Sequence, residues 1–317
     1  MQYAFHDYHP PAADLLGEVL NGLACQPKRL SPKFFYDRRG SQLFDAITRL
    51  PEYYPTRTEI GILRAQGEAI AAHLGKDSVL IELGSGSPLK IRVLLDSLRP
   101  AVYMPVDISG DHLRDSASHI ARDYPDLQVE AVCADYSAGL QLPDIPRKYV
   151  RAAFFPGSSI GNFEPAAAVD LLRDVSEDLG PGGAMLIGVD LKKDRQQLDA
   201  AYNDSQQITA AFNLNLLTRI NREADADFDT GRFDHRAFYN ETEGRVEMHL
   251  VSNCTHQVRV DGHHFRFEAG ETIHTENSYK YSVDEFHELG AEAGYEVEQV
   301  WTDPDELFSV HCLRVCG

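Results

Sequence analysis

The 317-residue chain carries 49 acidic against 30 basic residues, a formal net charge of −19, and 43% of it is apolar. That apolar share supports the core of one large domain or two ordinary ones, while the negative balance, with no lysine or arginine cluster to offset it, argues against a nucleic-acid partner. No stretch approaches the ~20 apolar residues that span a bilayer, and Met1 to Asp7 lacks the basic region and apolar core of a secretory signal, so the expectation is a cytoplasmic protein with no membrane partner.

Residues 10–75 read as a mostly helical lead-in interrupted by Leu50-Pro51-Glu52-Tyr53-Tyr54-Pro55. From Val79 onward, strand-like runs at 79–83, 101–107, 129–135, 150–156 and 184–190 alternate with helical runs after Lys90 and at 111–123 and 165–179. Gly180-Pro181-Gly182-Gly183 ends the last of these helices and turns into the fifth strand. Such alternation predicts an α/β fold with a doubly wound parallel sheet that binds its ligands at the carboxyl ends of the strands.

Between 191 and 280 the pattern changes to a long helical stretch around 195–222, a polar loop rich in Asp and Phe, and antiparallel strands at 245–251, 256–260 and 264–268. This reads as an α+β insertion, after which helix 283–293 and strands 296–301 and 307–315 complete a seven-stranded, Rossmann-like sheet. The expected organisation is an N-terminal helical segment (1–60) contributing to a substrate domain, a cofactor domain (61–191 plus 281–317) and an inserted substrate-binding domain (192–280). Five cysteines without a Cys-x-x-Cys pair read as reduced thiols, and neither His263-His264 nor the other histidines have zinc-ligand spacing, so no metal is expected.

The run Val79-Leu80-Ile81-Glu82-Leu83-Gly84-Ser85-Gly86-Ser87 closes a buried strand in Gly-x-Gly, which brings backbone close to a cofactor. Leu89 stands where a dinucleotide fingerprint would have its third glycine, which weakens a nicotinamide reading. Glu82, Asp107 and Asp135 fall at the ends of three successive strands and suit S-adenosylmethionine instead. One acid would serve the cationic methionyl end, one the ribose and one the adenine amino group. Lys90, a helical turn after the glycines, could add a charge-assisted contact to the cofactor or could be a solvated helix lysine.

Three other places could carry chemistry. Phe154 to Phe163 ends the fourth strand, where Asn162 either faces substrate or caps the helix starting at Pro165. In Thr275-Glu276-Asn277-Ser278-Tyr279-Lys280, strand geometry would put Glu276, Ser278 and Lys280 on one face, as a ligand-reading set or as charges on an exposed edge. Tyr36, Tyr53, Tyr54 and Tyr202 present hydroxyls on aromatic bodies, able to hold a carboxylate or amine or simply to pack.

Several runs together resemble one family: Ser31-Pro32-Lys33-Phe34-Phe35-Tyr36-Asp37, Gly40 to Glu59, Glu82-Leu83-Gly84-Ser85-Gly86-Ser87, Pro105-Val106-Asp107-Ile108-Ser109, Gly157-Ser158-Ser159-Ile160-Gly161-Asn162, Ala211-Phe212-Asn213-Leu214-Asn215-Leu216-Leu217 and Thr275-Glu276-Asn277-Ser278. They are similar to the bacterial L-histidine Nα-methyltransferases, which make hercynine on the route to ergothioneine. The resemblance spans nearly the whole chain. It implies a class I methyltransferase fold, S-adenosylmethionine as cofactor with S-adenosylhomocysteine as product, and L-histidine as the small-molecule substrate; a monomer is expected.

By that resemblance Gly84, Lys90, Asp107, Asp135 and Tyr136 contact the cofactor, alongside Glu82, Ser85 and Gly86 from the glycine turn. Tyr136 stands where the family often has phenylalanine. Tyr53, Asn162 and Tyr202 hold the carboxylate and amine, Tyr36 closes over the amine, Glu276 and Ser278 read the imidazole, and Met248 lines the side-chain pocket. Tyr36, Tyr53 and Asn162 are thereby the candidate catalytic residues. The rival readings are a methyltransferase for another small amine or amino acid, and a non-catalytic cofactor-binding module.

Overall fold

The computed structural model describes residues 3–8, 14–85, 88–136, 139, 142–144 and 149–317; Gly86, expected in the cofactor turn, lies outside them. Its helices are α1 (Leu15–Ala24), α2 (Arg38–Ile47), α3 (Tyr54–Leu74), α4 (Pro88–Leu98), α5 (Gly110–Asp123), α6 (Pro165–Leu179), α7 (Arg195–Tyr202), α8 (Ile208–Glu223) and α9 (Val283–Glu292). The strands are β1 (Ala4–Asp7), β2 (Lys28–Arg29), β3 (Val79–Leu83), β4 (Val102–Asp107), β5 (Gln128–Cys133), β6 (Arg151–Phe155), β7 (Ala184–Asp190), β8 (Phe233–Asn240), β9 (Arg245–Ser252), β10 (His256–Val260), β11 (His263–Phe267), β12 (Thr272–Tyr279), β13 (Tyr295–Thr302) and β14 (Phe308–Val315). Two compact units result: Met1–Pro10, Pro55–Lys192 and Tyr279–Gly317 form one, Pro11–Tyr54 and Lys193–Ser278 the other.

The first unit is built on an eight-stranded sheet in the order β1-β5-β4-β3-β6-β7-β14-β13. Strands β3 to β7 are parallel, and β14 runs antiparallel to both β7 and β13. Because side chains alternate across a strand, Val79, Ile81 and Leu83 join a core layer with α6 and α9, while Leu80 joins the opposite layer with α3, α4 and α5. Both faces are covered, which is why these strands read as continuous apolar runs. The expected seven strands gain an eighth: Ala4–Asp7, read in sequence as part of a helical segment, pairs in parallel with β5 along Ala4↔Glu130 to Asp7↔Cys133.

The second unit carries a four-stranded sheet, β2-β12-β9-β8, and the hairpin β10-β11. The expected single helix over 195–222 is two. Asp204 lies between them, and its carboxylate accepts from the amides of Ile208 (2.9 Å) and Thr209 (2.8 Å), the first two residues of α8, whose N-cap residue Gln207 makes no side-chain bond to them. The expected polar loop holds β8, whose buried Phe233, Ala237 and Tyr239 alternate with outward Asp234 and Arg236; the charges at alternate positions disguise a strand as a loop.

Lys280 does not share a ligand-facing edge with Glu276 and Ser278. Strand β12 ends at Tyr279, and Lys280, 2% exposed, places its ammonium 2.7 Å from Asp190 at the end of β7. Removing one member of a buried pair leaves the other charge uncompensated. Lys280→Met is therefore expected to cost about 3–5 kcal/mol of folding stability, read as a lower denaturant midpoint with an unchanged slope; a midpoint equal to the parent protein's would show that Asp190 is compensated elsewhere.

Candidate active site

Strand β3 lies between β4 and β6, so the connections leaving its carboxyl end and that of β6 depart to opposite sides and open a crevice there. Gly84 leaves β3 with φ +75°, a conformation that glycine adopts without steric cost, and the amides of Gly84 (2.9 Å) and Ser85 (3.2 Å) both donate to the carbonyl of Val106 on β4. A Cβ built at Gly84 would come 3.6 Å from the hydroxyl of Tyr136, so Gly84, Ser85 and Tyr136 are neighbours. Asp107 ends β4 and accepts from the amide of Ser109 at 2.8 Å, and Asp135 and Tyr136 follow β5, with the Tyr136 ring edge-on to Phe155.

Burial dominates the electrostatics. The Glu82 carboxyl is lifted from 4.5 to about 7 by desolvation, against hydrogen bonds from the Tyr103 hydroxyl and Ser85. Asp107 is also raised, chiefly by desolvation and against the Ser109 amide. The Tyr136 phenol is raised by burial and then by the negative charges of Asp107 and Asp135. Acids at three adjacent strand ends around a glycine turn suit a cationic nucleoside, and these residues fit S-adenosylmethionine.

Lys90 has a partner that sequence reading missed. Its ammonium lies 2.6 Å from Glu59 of α3, whose side chain is fully buried. The same carboxylate accepts from the amide of Gly157 at 3.1 and 3.0 Å, and Gly188 on β7 lies so near that a Cβ there would be 2.3 Å from Glu59 Oε1. Glu59 thus ties α3, α4, β7 and the loop after β6 together, with Gly157 (φ +80°) and Ser158 (φ +60°) both left-handed. That loop continues into a short 3-10 turn, Ser159–Asn162, in which Gly161 packs on the Tyr279 backbone with no room for a Cβ. Asn162 is not the cap of α6; Glu164 occupies that position, with Pro165 in the first turn.

In the second unit, Tyr202, the last residue of α7, donates its hydroxyl proton to Ser278 Oγ at 2.8 Å, both residues being buried. The Tyr53 ring meets Tyr202 edge-to-face at 6.3 Å and Phe44 at 6.4 Å. Phe44 in turn meets Tyr36 at 5.7 Å, and Tyr36 meets Phe212 at 5.8 Å. The structure so brings Tyr36, Tyr53, Tyr202 and Ser278 into one aromatic and hydroxyl cluster through Phe44, a link that spacing does not reveal. Glu276 is half-buried two residues before Ser278, and Met248 lies buried on the neighbouring β9. Glu247, His249 and His274 also approach within 4.8 Å, but the two imidazoles stack nearly parallel and Glu247 is engaged by Arg245 at 2.9 Å.

The sheet order, the glycine turn and the strand-end acids define a Rossmann-like methyltransferase that uses S-adenosylmethionine. The chain belongs to the histidine-specific, S-adenosylmethionine-dependent methyltransferases, whose family model matches residues 15–315. A histidine N-alpha-methyltransferase of Mycolicibacterium smegmatis is 43% identical over 305 residues, covering 92% of this chain and 94% of its own. One of Mycobacterium tuberculosis is 42% identical over 292 residues, covering 90% of each. Ergothioneine biosynthesis protein 1 of Neurospora crassa is 33% identical over 297 residues, which are 90% of this chain and 33% of that protein.

Two outcomes follow from the carboxylates. Since folding raises the Glu82 pKa to about 7, the folded state holds this proton more tightly than the unfolded chain; the contribution is present below the ordinary value and is lost as pH rises through 7. Glu82→Gln, measured without cofactor, is expected to gain on the parent protein between pH 5 and pH 8 by on the order of 3 kcal/mol, and a pH-independent gap would refute the shift. Asp107→Ala is expected to weaken S-adenosylmethionine binding by about 1.5–3 kcal/mol, the range for hydrogen bonds to a charged group; unchanged affinity by calorimetry would remove Asp107 from the cofactor site.

Proposed function

We propose that this chain transfers three methyl groups in succession to the α-amine of L-histidine, giving hercynine. S-Adenosylmethionine supplies the methyl group; Glu82, Gly84, Ser85, Gly86, Lys90, Asp107, Asp135 and Tyr136 are the residues proposed to hold it. Within the second unit, Tyr53 and Tyr202 are proposed for the amino acid's carboxylate and amine, with Tyr36 over the amine and Met248 along the side-chain pocket. Asn162 is proposed, with them, for the amino acid's carboxylate and amine.

The observation that carries the histidine reading is the pairing on β12. A neutral imidazole offers one N–H donor and one lone-pair acceptor. Glu276 can take the first. Ser278, whose oxygen accepts from Tyr202, is proposed to present its hydroxyl to the second ring nitrogen. Buried polar partners of this kind reject analogues that leave them unpaired, by up to ~10⁴.

The chemistry asked of the protein is positioning: the amine must reach the reaction deprotonated and in line with the methyl group, and alignment of reactants alone can contribute roughly 7–11 kcal/mol. Purified protein given S-adenosylmethionine and an equimolar amino-acid mixture should yield a ladder of three methyl additions on histidine, followed by mass spectrometry. Methylation of a different amine would transfer the mechanism to another substrate, and cofactor binding without methylation would favour a binding module. Glu276→Ala should spare cofactor binding while selectively impairing histidine use; equal loss with every accepted amino acid would mark Glu276 as structural.

A further inference from the structure

Asn213, fully buried on α8, sits at the centre of a hydrogen-bond cluster that draws on five elements of the second unit. Its Nδ2 donates to Nδ1 of His235 on β8 at 3.0 Å and to the carbonyl of His249 on β9 at 3.1 Å. Its Oδ1 lies 2.8 Å from the hydroxyl of Thr275 on β12, whose single proton it shares with the carbonyl of Met248 at 3.0 Å. His235 extends the cluster to α7, its Nε2 lying 2.9 Å from the carbonyl of Tyr202.

Donor and acceptor chemistry leaves one consistent assignment. Carbonyls only accept, so the amide nitrogen of Asn213 must face His249, and His235 must carry its proton on Nε2 and turn a lone pair toward Asn213. The reversed amide would set two oxygens 3.1 Å apart. Burial holds the His235 pKa below its usual value, in keeping with a neutral ring.

The cluster ends on the residues proposed above to meet the amino acid. Two of its bonds fall on the carbonyls of Tyr202 and Met248, and Thr275 immediately precedes Glu276. Because side chains alternate along β12, Thr275 anchors one face of the strand while Glu276 and Ser278 project from the other. A slip of one residue would exchange those faces, and the Thr275 bonds to Asn213 and Met248 oppose it.

We propose that Asn213, Thr275 and His235 are positioning residues that set the strand carrying Glu276 and Ser278 against α7 and β9, and so determine histidine selectivity. The role rests on the functional reading given above. Thr275→Val keeps the side chain's shape and removes the hydroxyl. It is expected to raise KM for histidine roughly tenfold, the upper effect of one hydrogen bond, and to narrow the preference for histidine over other amino acids. The kcat should change less and cofactor affinity by calorimetry not at all; Thr275→Ser should restore KM to within about twofold, since the hydroxyl bonds return.

A second readout needs no variant: nitrogen-resolved NMR of the parent protein should show His235 as the neutral Nε2–H tautomer, and the Nδ1–H form would overturn the cluster. Parent protein that methylates histidine while Thr275→Val matches it in KM and selectivity, even with a lowered Tm, would overturn the positioning role alone. Parent protein that neither binds nor methylates histidine would overturn the functional reading and this role with it.

Discussion

The site in the first unit depends on where polar groups are buried at the ends of parallel strands. Because β3 is flanked by β4 on one side and β6 on the other, its carboxyl end opens a crevice instead of packing against a connection. A crevice bordered by strand ends has amides to offer but limited water, so each carboxylate placed there feels desolvation. Glu82 and Asp107 both rise on that account. Glu59 is fully buried, and Lys90 and the Gly157 amide converge on it, which makes it a tie that holds the loop after β6.

Around Ser278 and Thr275 the second unit relies on neutral hydrogen bonds. Tyr202 and Ser278 form a hydroxyl pair, and Asn213 satisfies its donors and its acceptor within the protein, as buried amides must. An apolar core would hold these elements together as well. What hydrogen bonds add is direction, since only one register of β12 and one orientation of the amide satisfy every partner. For an enzyme that must tell one amino acid from others by a ring with a single donor and a single acceptor, directional constraints of this kind are worth more than packing alone.

Much of the first unit was legible in the chain because its signals are local. A buried parallel strand is an apolar run, and its end is marked by Gly84, Asp107 or Asp135. The runs that ended at those residues were recognisable without knowing what lay beside them. Where reading failed, the determining partner was far away. Lys280 looked like the third member of an alternating face, but its ammonium is drawn to Asp190. Asn162 was as plausible a cap as a site residue, a choice of a different, local kind, which Glu164 decides by taking the cap position before Pro165. Strand β8 was hidden because its outward positions are as charged as a loop, and β1 because four residues carry too little periodicity to register.

The sequence by itself therefore determined the alternation of strands and helices, the glycine turn, the acidic strand ends and the resemblance to histidine methyltransferases, all of which reside in contiguous residues and short spacings. Only the tertiary structure decided that Lys90 pairs with Glu59 in the absence of ligand, that Phe44 links Tyr36 to Tyr53, and that Asn213 joins Thr275 across 62 positions of the chain. The physical reason is that a charge or a hydrogen-bonding group has no preferred partner along the chain. Its partner is whichever group folding buries within about 3 Å of it, where leaving either unpaired would cost more than bringing them together.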